Sequence, residues 1–264
     1  MSGSTYNYSP YHRALEISSI FGLGVIVSMI FYEVYLGLVE PFRDQALWLV
    51  PSVAFVAYLA ADFVSGFVHF VGDTFGHEEL PVLGPNFIRP FREHHTDPRA
   101  ITRHDFVETN GNNCVVCIPA ALLVYFLVPA RTELWGNALA AFCAWFFVWI
   151  FMTNQFHKWS HLEVIPPWIQ TLQRWRLILN PEHHDIHHTA PFDKYFCITT
   201  GWLNPLLYHL RFFPAVEGLV RWVSGSPEWL VGPSTGLAPG AGPSAAQPGT
   251  EEGDSSSASS TPTP

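Results

Sequence analysis

Four long runs of apolar residues limit what this chain can fold into. They cover residues 17–39, 46–72, 114–130 and 134–153. Glu33 is the only acidic or basic residue of the first run. The second run contains Asp62 and His69, and the last two runs have none. A helix needs about 20 apolar residues to cross the hydrocarbon core of a bilayer. The sequence therefore predicts an all-α integral membrane protein with four transmembrane helices and a histidine-rich cytosolic cap.

The lysine and arginine residues predict how these helices are oriented. Four arginines lie between the second and third runs and six basic residues follow the fourth, whereas only Arg43 and Arg131 lie in the two opposite loops. Loops that stay in the cytosol are enriched in lysine and arginine. Both termini and the long loop at 74–113 are therefore predicted to face the cytosol.

The histidines fall into groups with the spacing of metal ligands. The groups are His69 with Asp73, His94 with His95 and the nearby His104, His157 with His161, and His183, His184, His187 and His188. Residues four apart on a helix share one face, so each such pair can point at one ion. All the groups lie on the side that the lysine and arginine residues mark as cytosolic. This topology does not depend on the positions of the histidines. This agreement predicts a single shared site.

The HHxxHH group is predicted to lie on a short helix. Asn180 is a suitable N-cap, Pro181 suits the first helical position, and Pro191 ends the segment. Two arrangements remain open for its histidines. The helix could present two pairs, His183 with His187 and His184 with His188, one to each of two metals, or it could present an HxxHH set that leaves His183 aside.

The number and type of ligands predict a pair of non-haem irons. A zinc site takes three or four protein ligands, whereas at least nine imidazoles and a carboxylate are available here. Nitrogen-rich ligands with a little carboxylate suit iron, and two irons would share roughly eight to ten of them. A different class remains as an alternative, a membrane metal transporter or a haem-binding protein. However, a transporter binds ions near the bilayer midplane, and haem would leave most of these histidines unexplained.

Five further residues have a functional and a structural interpretation. Asp62 lies within a predicted span, where an ionisable residue is costly. It either faces the substrate or ligands, or forms a structural hydrogen bond. Arg89 and Arg92 either contact a lipid phosphate or anchor the chain at an anionic membrane surface. Cys114 and Cys117 form a CxxC inside an apolar run, which indicates helix packing and not a disulfide.

Several segments resemble the plasmanylethanolamine desaturases, a family of transmembrane ether-lipid desaturases related to the plastid phosphatidylglycerol desaturase. The segments are DFVSGFVHFVGDTFG, FIRPFREHHTDPRAITRHDFVETNGNNC, NQFHKWSH, EHHDIHH and YFCITTGWLNPL. The resemblance runs from about residue 12 to 225. It divides the chain into a polar arm at 1–13, a membrane desaturase domain at 14–232 and a tail at 233–264 whose composition predicts disorder.

The resemblance implies a function, a cofactor and partners. It implies an enzyme of the endoplasmic reticulum membrane that introduces the 1,2 vinyl-ether double bond into the O-alkyl chain of plasmanylethanolamine, which gives plasmalogen. Dioxygen is the implied co-substrate, and cytochrome b5 with its NADH-dependent reductase is the implied source of electrons. The implied di-iron ligands are His69, Asp73, His94, His95, His104, His157, His161, His183, His184, His187 and His188. A desaturase or hydroxylase of the same histidine-box type that acts on another lipid is the alternative.

Overall fold

The computed structural model describes residues 9–225, so the tail predicted at 233–264 and residues 1–8 of the predicted polar arm lie outside the described residues. The described part is all-α, as predicted. Its helices are α1 (Pro10–Val39), α2 (Ala46–Thr74), α3 (Arg89–Thr96), α4 (Ala100–Arg103), α5 (Phe106–Leu127), α6 (Leu134–Ser160), α7 (Pro167–Arg174), α8 (Pro181–His184), α9 (Asn204–His209) and α10 (Phe212–Ser224). A 3-10 turn (Arg43–Gln45) precedes α2, and a π-helical turn (Gly84–Ile88) precedes α3.

Four of these helices are long and apolar enough to cross a membrane, and the chain is a multi-pass membrane protein. Helix α6 lies at the centre of the bundle and packs against α1, α2 and α5, while α1 also packs along α5. Small buried side chains line these contacts, among them Ala121, Ala140 and Ala144. Small residues allow helices to approach closely in a membrane, where hydrophobicity alone does not hold them together. Cys114 and Cys117 are buried in the same cluster with free thiols.

Two of the long helices begin earlier than the apolar runs predict. Helix α1 begins at Pro10 because the Ser9 hydroxyl accepts a hydrogen bond from the N–H of His12. Helix α5 begins at Phe106, inside the predicted loop at 74–113, because the Asp105 carboxylate accepts hydrogen bonds from two N–H groups of the first turn. Hydropathy misses these turns because their polar side chains pair inside the protein. The Asn110 amide, for example, donates to the Gln155 side chain at 3.1 Å.

A non-helical segment, residues 196–203, packs against the inner faces of α2 and α6. Buried backbone that is not helical must have its polar groups satisfied by the protein when it lies at membrane depth. Asp62 of α2 is fully buried and accepts hydrogen bonds from the N–H groups of Thr200, Gly201 and Leu203 at 2.7, 2.9 and 3.1 Å. The structure thus supports the structural interpretation of Asp62, whose carboxylate holds this segment against α2.

The approach of this segment is close because α2 presents a glycine to it. A Cβ atom on Gly66 would lie 2.5 Å from the Cys197 sulfur and 3.0 Å from its Cα. Nearby, the Ser65 hydroxyl accepts the N–H of Ile198 at 3.1 Å. On the other side, the hydroxyls of Thr153 and Thr199 lie 2.9 Å apart and share a hydrogen bond. The segment is therefore fixed between the two helices that carry His69 and His157.

Replacing Asp62 with asparagine leaves one acceptor oxygen for three backbone N–H groups. Because a buried hydrogen bond to a charged group contributes about 1.5–3 kcal/mol, we expect Asp62→Asn to lower the unfolding temperature in detergent micelles and to expose residues 196–203 to protease. Asp193→Asn, at an exposed aspartate, is the matched control and should change neither property. An Asp62→Asn protein as stable and as protease-resistant as the wild type would contradict this role.

The Asp105 cap should show a defined pH dependence. The Arg13 guanidinium and the N–H groups of Glu108 and Val107 lower the pKa of Asp105 from 3.8 to about 2. We expect Asp105→Ala to cost about 1 kcal/mol, as loss of an N-cap does. Because the folded pKa lies below the unfolded one, this contribution is present above about pH 4 and is lost as the pH falls toward 2. Unfolding temperatures of both proteins measured across this range test the expectation, and a difference that persists undiminished at low pH would refute it.

Candidate metal centre

Nine of the predicted ligands come together in two adjacent groups at one end of the bundle. Within each group the candidate ligand atoms all lie within 4.8 Å of one another, the spacing of residues that could hold one metal ion. The first group consists of five histidines, His94, His157, His161, His184 and His188. The second group consists of His69, Asp73, His95 and His187. Four separate stretches of the chain therefore converge on one site.

The helices place the paired ligands by their periodicity. On α2, His69 and Asp73 lie four residues apart and both point into the second group. On α6, His157 and the C-cap residue His161 point in the same way into the first group. The adjacent His94 and His95 of α3 separate, one into each group, because consecutive residues on a helix face different directions.

The HHxxHH segment divides its histidines in the way that the HxxHH arrangement describes. The Asn180 side chain accepts the N–H of His183 at 2.8 Å, which begins α8 as predicted. The predicted helix is wrong in extent, because α8 ends at His184 and not near Pro191. His187 and His188 lie in the turn that follows, where their N–H groups both donate to the carbonyl of His184. His184 and His188 enter the first group and His187 enters the second, whereas His183 enters neither.

In the first group, imidazole nitrogens face one another. The Nε2 atom of His184 lies 2.8 Å from that of His157 and 3.0 Å from that of His188, and His157 Nε2 lies 3.2 Å from His161 Nε2. A neutral imidazole carries one N–H and one lone pair. An N–H group on one ring can donate to only one neighbouring nitrogen. The facing nitrogens therefore cannot all be paired, and lone pairs converge at the centre of the group.

Four histidines outside the membrane-spanning helices, His94, His161, His184 and His188, are uncharged at neutral pH. Burial, followed by the neighbouring imidazoles, lowers the pKa of His188 to about 2 and that of His161 to about 4. The same causes lower the pKa of His94 and His184 far below the usual value. Burial disfavours the charged imidazolium form. These lone pairs are therefore available to a metal and are not blocked by protons.

The second group places a carboxylate against an imidazole lone pair. The Nδ1–H group of His187 donates to the backbone carbonyl of Lys194 at 2.9 Å, so the neutral ring is bare at Nε2. That bare Nε2 lies 3.5 Å from an oxygen of Asp73. Asp73 also lies 3.4 Å from His69 Nε2 and 3.1 Å from His95 Nε2. Two acceptors that face each other in a buried site repel unless a cation lies between them.

The buried atoms that lack hydrogen bonds are concentrated in the same place. Both oxygens of Asp73, both ring nitrogens of His95, and the Nε2 atoms of His69, His94 and His187 are buried and form no hydrogen bond of normal geometry. Leaving such atoms unsatisfied costs free energy, and native structures rarely do so. Metal ions in the two groups would satisfy these atoms, so the residues fit a two-metal centre of nitrogen ligands with one carboxylate.

Three phenylalanine rings lie beside the second group. Phe91 lies 5.1 Å from His69, Phe192 lies 4.8 Å from His95, and Phe196 lies 5.1 Å from His187, measured between ring centroids. Rings at these distances exclude water from the imidazoles and hold them in place. The second group therefore has aromatic, apolar neighbours beside its imidazoles.

The helix lengths place this centre at a membrane boundary. His69 lies 23 residues after the start of α2, and His157 lies 23 residues after the start of α6. At about 1.5 Å per residue, both are about 34 Å from the opposite ends of their helices. The hydrocarbon core of a bilayer is about 30 Å thick. The ligands therefore lie just beyond the apolar core and not at its midplane.

The structure places four of the predicted site residues outside both groups. His104 pairs with Glu108 at 2.6 Å, and the amide of Asn204 lies 3.2 Å from the His183 ring. Arg89 pairs with Glu78 at 3.6 Å. The guanidinium of Arg92 donates to the carbonyls of Gly76 and Phe75 at the end of α2, which ties α3 to that helix. These four side chains contact other parts of the protein.

Two features of the centre were missed in the sequence. The Lys194 carbonyl that orients His187 is a backbone group, and nothing in the residue type marks it. Phe192 and Phe196 lie in a loop without helical periodicity, so no pattern places their rings beside the histidines. The YF pair at 195–196 within a resembling segment is the only signal near them.

Comparison with known proteins agrees with the site. A lipid desaturase domain matches residues 58–228. The plasmanylethanolamine desaturase of Myxococcus xanthus is 50% identical over 83% of this chain and 75% of its own length, and plasmanylethanolamine desaturase 1 of Mus musculus is 44% identical over 83% and 80%. The chloroplastic fatty acid desaturase 4 of Arabidopsis thaliana is 32% identical over 66% of this chain and 53% of its own length.

No solved structure showed significant similarity to the chain. The matched domain covers more than half of the sequence and includes every residue of the two ligand groups. The resemblance seen in the motifs is thus confirmed over most of the described residues. The chain belongs to the family of membrane lipid desaturases and is an oxidoreductase.

Proposed function

We propose that this protein introduces the 1,2 double bond into the O-alkyl chain of plasmanylethanolamine and so forms the vinyl ether of plasmalogen. Two of its relatives carry the name plasmanylethanolamine desaturase, at 50% and 44% identity over most of the chain. In the reaction, two hydrogens leave neighbouring carbons of the alkyl chain. Together with two electrons and two protons they reduce one dioxygen to two waters.

The depth of the metal centre is the observation that carries this proposal. The carbons that react are the first two of the alkyl chain, next to the glycerol ether oxygen, and they lie near the headgroup. Both ligand groups lie about 34 Å along the helices that carry them, just past a core of about 30 Å. A desaturase that acts in the middle of a fatty chain would need the chain to reach out of the core, whereas these carbons are already at the boundary.

We assign the nine residues of the two groups as the ligands of a di-iron centre. The residues are His94, His157, His161, His184 and His188 for one ion and His69, Asp73, His95 and His187 for the other. This set departs from the one that the family resemblance implies, because His104 and His183 contact other partners. When bound, the irons supply the activation of dioxygen and the removal of hydrogen from unactivated carbon, which amino-acid side chains cannot perform.

The protein itself orients the ligands and excludes water. The Lys194 carbonyl fixes the ring of His187, and Arg92 holds the α3 helix of His94 and His95 against the end of α2. Phe91 and Phe192 form an apolar wall beside the second group. Such a wall favours a hydrocarbon chain over water next to the reacting carbons.

The location and the electron donor are part of the same proposal. The histidine-bearing end carries most of the lysine and arginine residues. At the opposite end, Arg131 is neutralised by a pair of hydrogen bonds to Glu33. This distribution supports both termini in the cytosol. The family resemblance supports the endoplasmic reticulum membrane and electron delivery by cytochrome b5 and its NADH-dependent reductase.

The ligand assignment predicts which histidines control the metal content. We expect His161→Ala and His187→Ala to lower the iron of the purified protein from about two ions per chain to about one or less, since each removes a ligand from a different group. His104→Ala and His183→Ala are the matched controls and should keep both ions. Elemental analysis of the four variants decides the matter. If the control variants lost as much iron as His187→Ala, the assignment would be wrong.

The activity predicts a lipid product that can be measured directly. Expression of this chain in cells that lack their own activity should restore vinyl-ether phospholipids, as lipid mass spectrometry would show. His161→Ala and His187→Ala should abolish the product while protein levels stay near wild type. A cell that gains no plasmalogen while unsaturation appears in another lipid would instead favour a desaturase of different substrate range.

A further inference from the structure

A small cavity next to the metal centre is not used by the metal ligands. It has a volume of about 160 Å³ and lies between the chain that connects α7 to α8 and the 196–203 segment. The residues that line it include Arg176, Asn180, His183, Thr200, Gly201 and Trp202. His183 is the neighbour in sequence of the ligand His184, so the cavity lies directly beside the first group. Its lining is polar on one side and carries one arginine.

The cavity holds a cation that no carboxylate neutralises. Three arginines of the loop at 74–113 pair with acids, Arg89 with Glu78, Arg99 with Glu163 and Arg103 with Asp97. Among residues 9–225, Arg176 forms no ion pair with a carboxylate, as is also true of Arg43, Arg174 and Arg211, but of these only Arg176 lines the cavity. A guanidinium presents several donors and no acceptor. Arg176 is exposed at the edge of the cavity, so its guanidinium can bind an anion that enters there.

The backbone of Arg176 is held in an unusual conformation by a neighbouring residue of the cavity. Arg176 has a φ of +56°, a left-handed conformation that is unfavourable for a residue other than glycine. The indole N–H of Trp202 donates to the Arg176 carbonyl at 2.6 Å and holds this conformation. Backbone strain of this kind persists only where the surrounding structure enforces it. The arginine is thus held at the cavity by a contact to another of its walls.

The neighbouring polar groups also have donors left over. The Asn180 side-chain oxygen accepts the N–H of His183, which leaves its NH₂ group free to donate. The Thr200 hydroxyl oxygen accepts the N–H of Trp202 at 3.1 Å, so its own proton is available. Gly201 has a φ of +76°, and a Cβ there would lie 2.5 Å from the His183 ring, so only glycine fits beneath that ring. Spare donors around an arginine suit a phosphate.

The depth of the cavity identifies the source of the anion. The backbone N–H groups of its wall residues Thr200 and Gly201 donate hydrogen bonds to Asp62. Asp62 lies 16 residues, or about 24 Å, from the start of α2. The Trp202 ring packs on Tyr58 at 5.9 Å, on the membrane side of Asp62. Asp62 thus lies about 6 Å inside a core of about 30 Å, a distance that one long arginine side chain can span to reach the boundary. The anionic group available at such a boundary is the phosphate of a phospholipid.

We propose that this cavity binds the phosphate of the lipid substrate, with Arg176 as its charged ligand and Asn180 and Thr200 as further donors. The identity of the lipid as an ether phospholipid rests on the proposed function, whereas recognition of the phosphate does not. Held here, the headgroup fixes the glycerol next to the metal centre. His183 then forms a wall of the lipid site and is not a metal ligand.

The test measures binding without turnover. Metal-loaded protein in a phosphate-free neutral detergent, without electron donor, is titrated with 1-O-octadecyl-2-acyl-glycerophosphoethanolamine and with the matched 1-O-octadecyl-2-acylglycerol, which has no phosphate. We expect Arg176→Gln to weaken binding of the phospholipid about tenfold or more, the effect of losing a hydrogen bond to a charged group, and to leave the phosphate-free lipid unchanged. Arg174→Gln, at an exposed arginine two residues away, is the control and should bind both lipids as the wild type does. Arg176→Lys should restore part of the affinity.

The outcomes separate this proposal from its alternatives. Equal phospholipid affinity in Arg176→Gln and wild type would overturn it, and so would an equal loss for both lipids. Displacement of the phospholipid by millimolar inorganic phosphate would assign the cavity to free phosphate and overturn the lipid assignment. Unchanged iron content in Arg176→Gln excludes a general structural defect. Because no reaction takes place, wild-type selectivity for the phosphate supports the cavity even if no vinyl ether is ever formed.

Discussion

The structure depends on one constraint, the need of buried imidazole lone pairs and a buried carboxylate for positive charge. The Nδ1–H group of His187 donates a hydrogen bond to a backbone carbonyl, and the other ring nitrogen, Nε2, faces Asp73. The nitrogens of His157, His184 and His188 converge in the same way in the first group. Without ions this arrangement would be repulsive and unsatisfied. Metal binding would therefore hold together segments that are far apart in sequence, and it is linked to folding of the cap.

Two membrane helices place this centre at the boundary of the bilayer core. Helices α2 and α6 run the same distance before they present His69 and His157. The 196–203 segment fills the space between them. The Asp62 carboxylate accepts hydrogen bonds from the backbone N–H groups of this segment at a depth where water is not available to do so. An aspartate that would be costly in lipid is thus a local anchor. The same anchor shapes the wall of the cavity that contains Arg176.

Sequence reasoning predicted the elements with strong periodicity and missed those set by tertiary contacts. The four membrane helices and the i, i+4 pairs His69–Asp73 and His157–His161 follow from local patterns, since helical spacing alone places them. The separation of His94 from His95, and of His187 from His188, depends on how α3 and the turn after α8 pack, which no local pattern encodes. Hydropathy does not predict the start of α5 at Phe106, because the polar residues of its first turns are typical of a loop although they are buried here. His104 and His183 have the residue type of a ligand, but they lie outside both groups, in contact with Glu108 and Asn204.

The two groups differ, with five nitrogens in one and three nitrogens with a carboxylate beside phenylalanine rings in the other. Metal ions bound in the two groups would therefore be inequivalent, and spectroscopy would distinguish them. Mössbauer spectroscopy of the purified, iron-57-enriched protein is the most direct measurement. Two non-haem iron signals of similar intensity but distinct parameters are predicted. Active protein that contains no iron, or iron only as haem with a strong Soret band, would contradict the account.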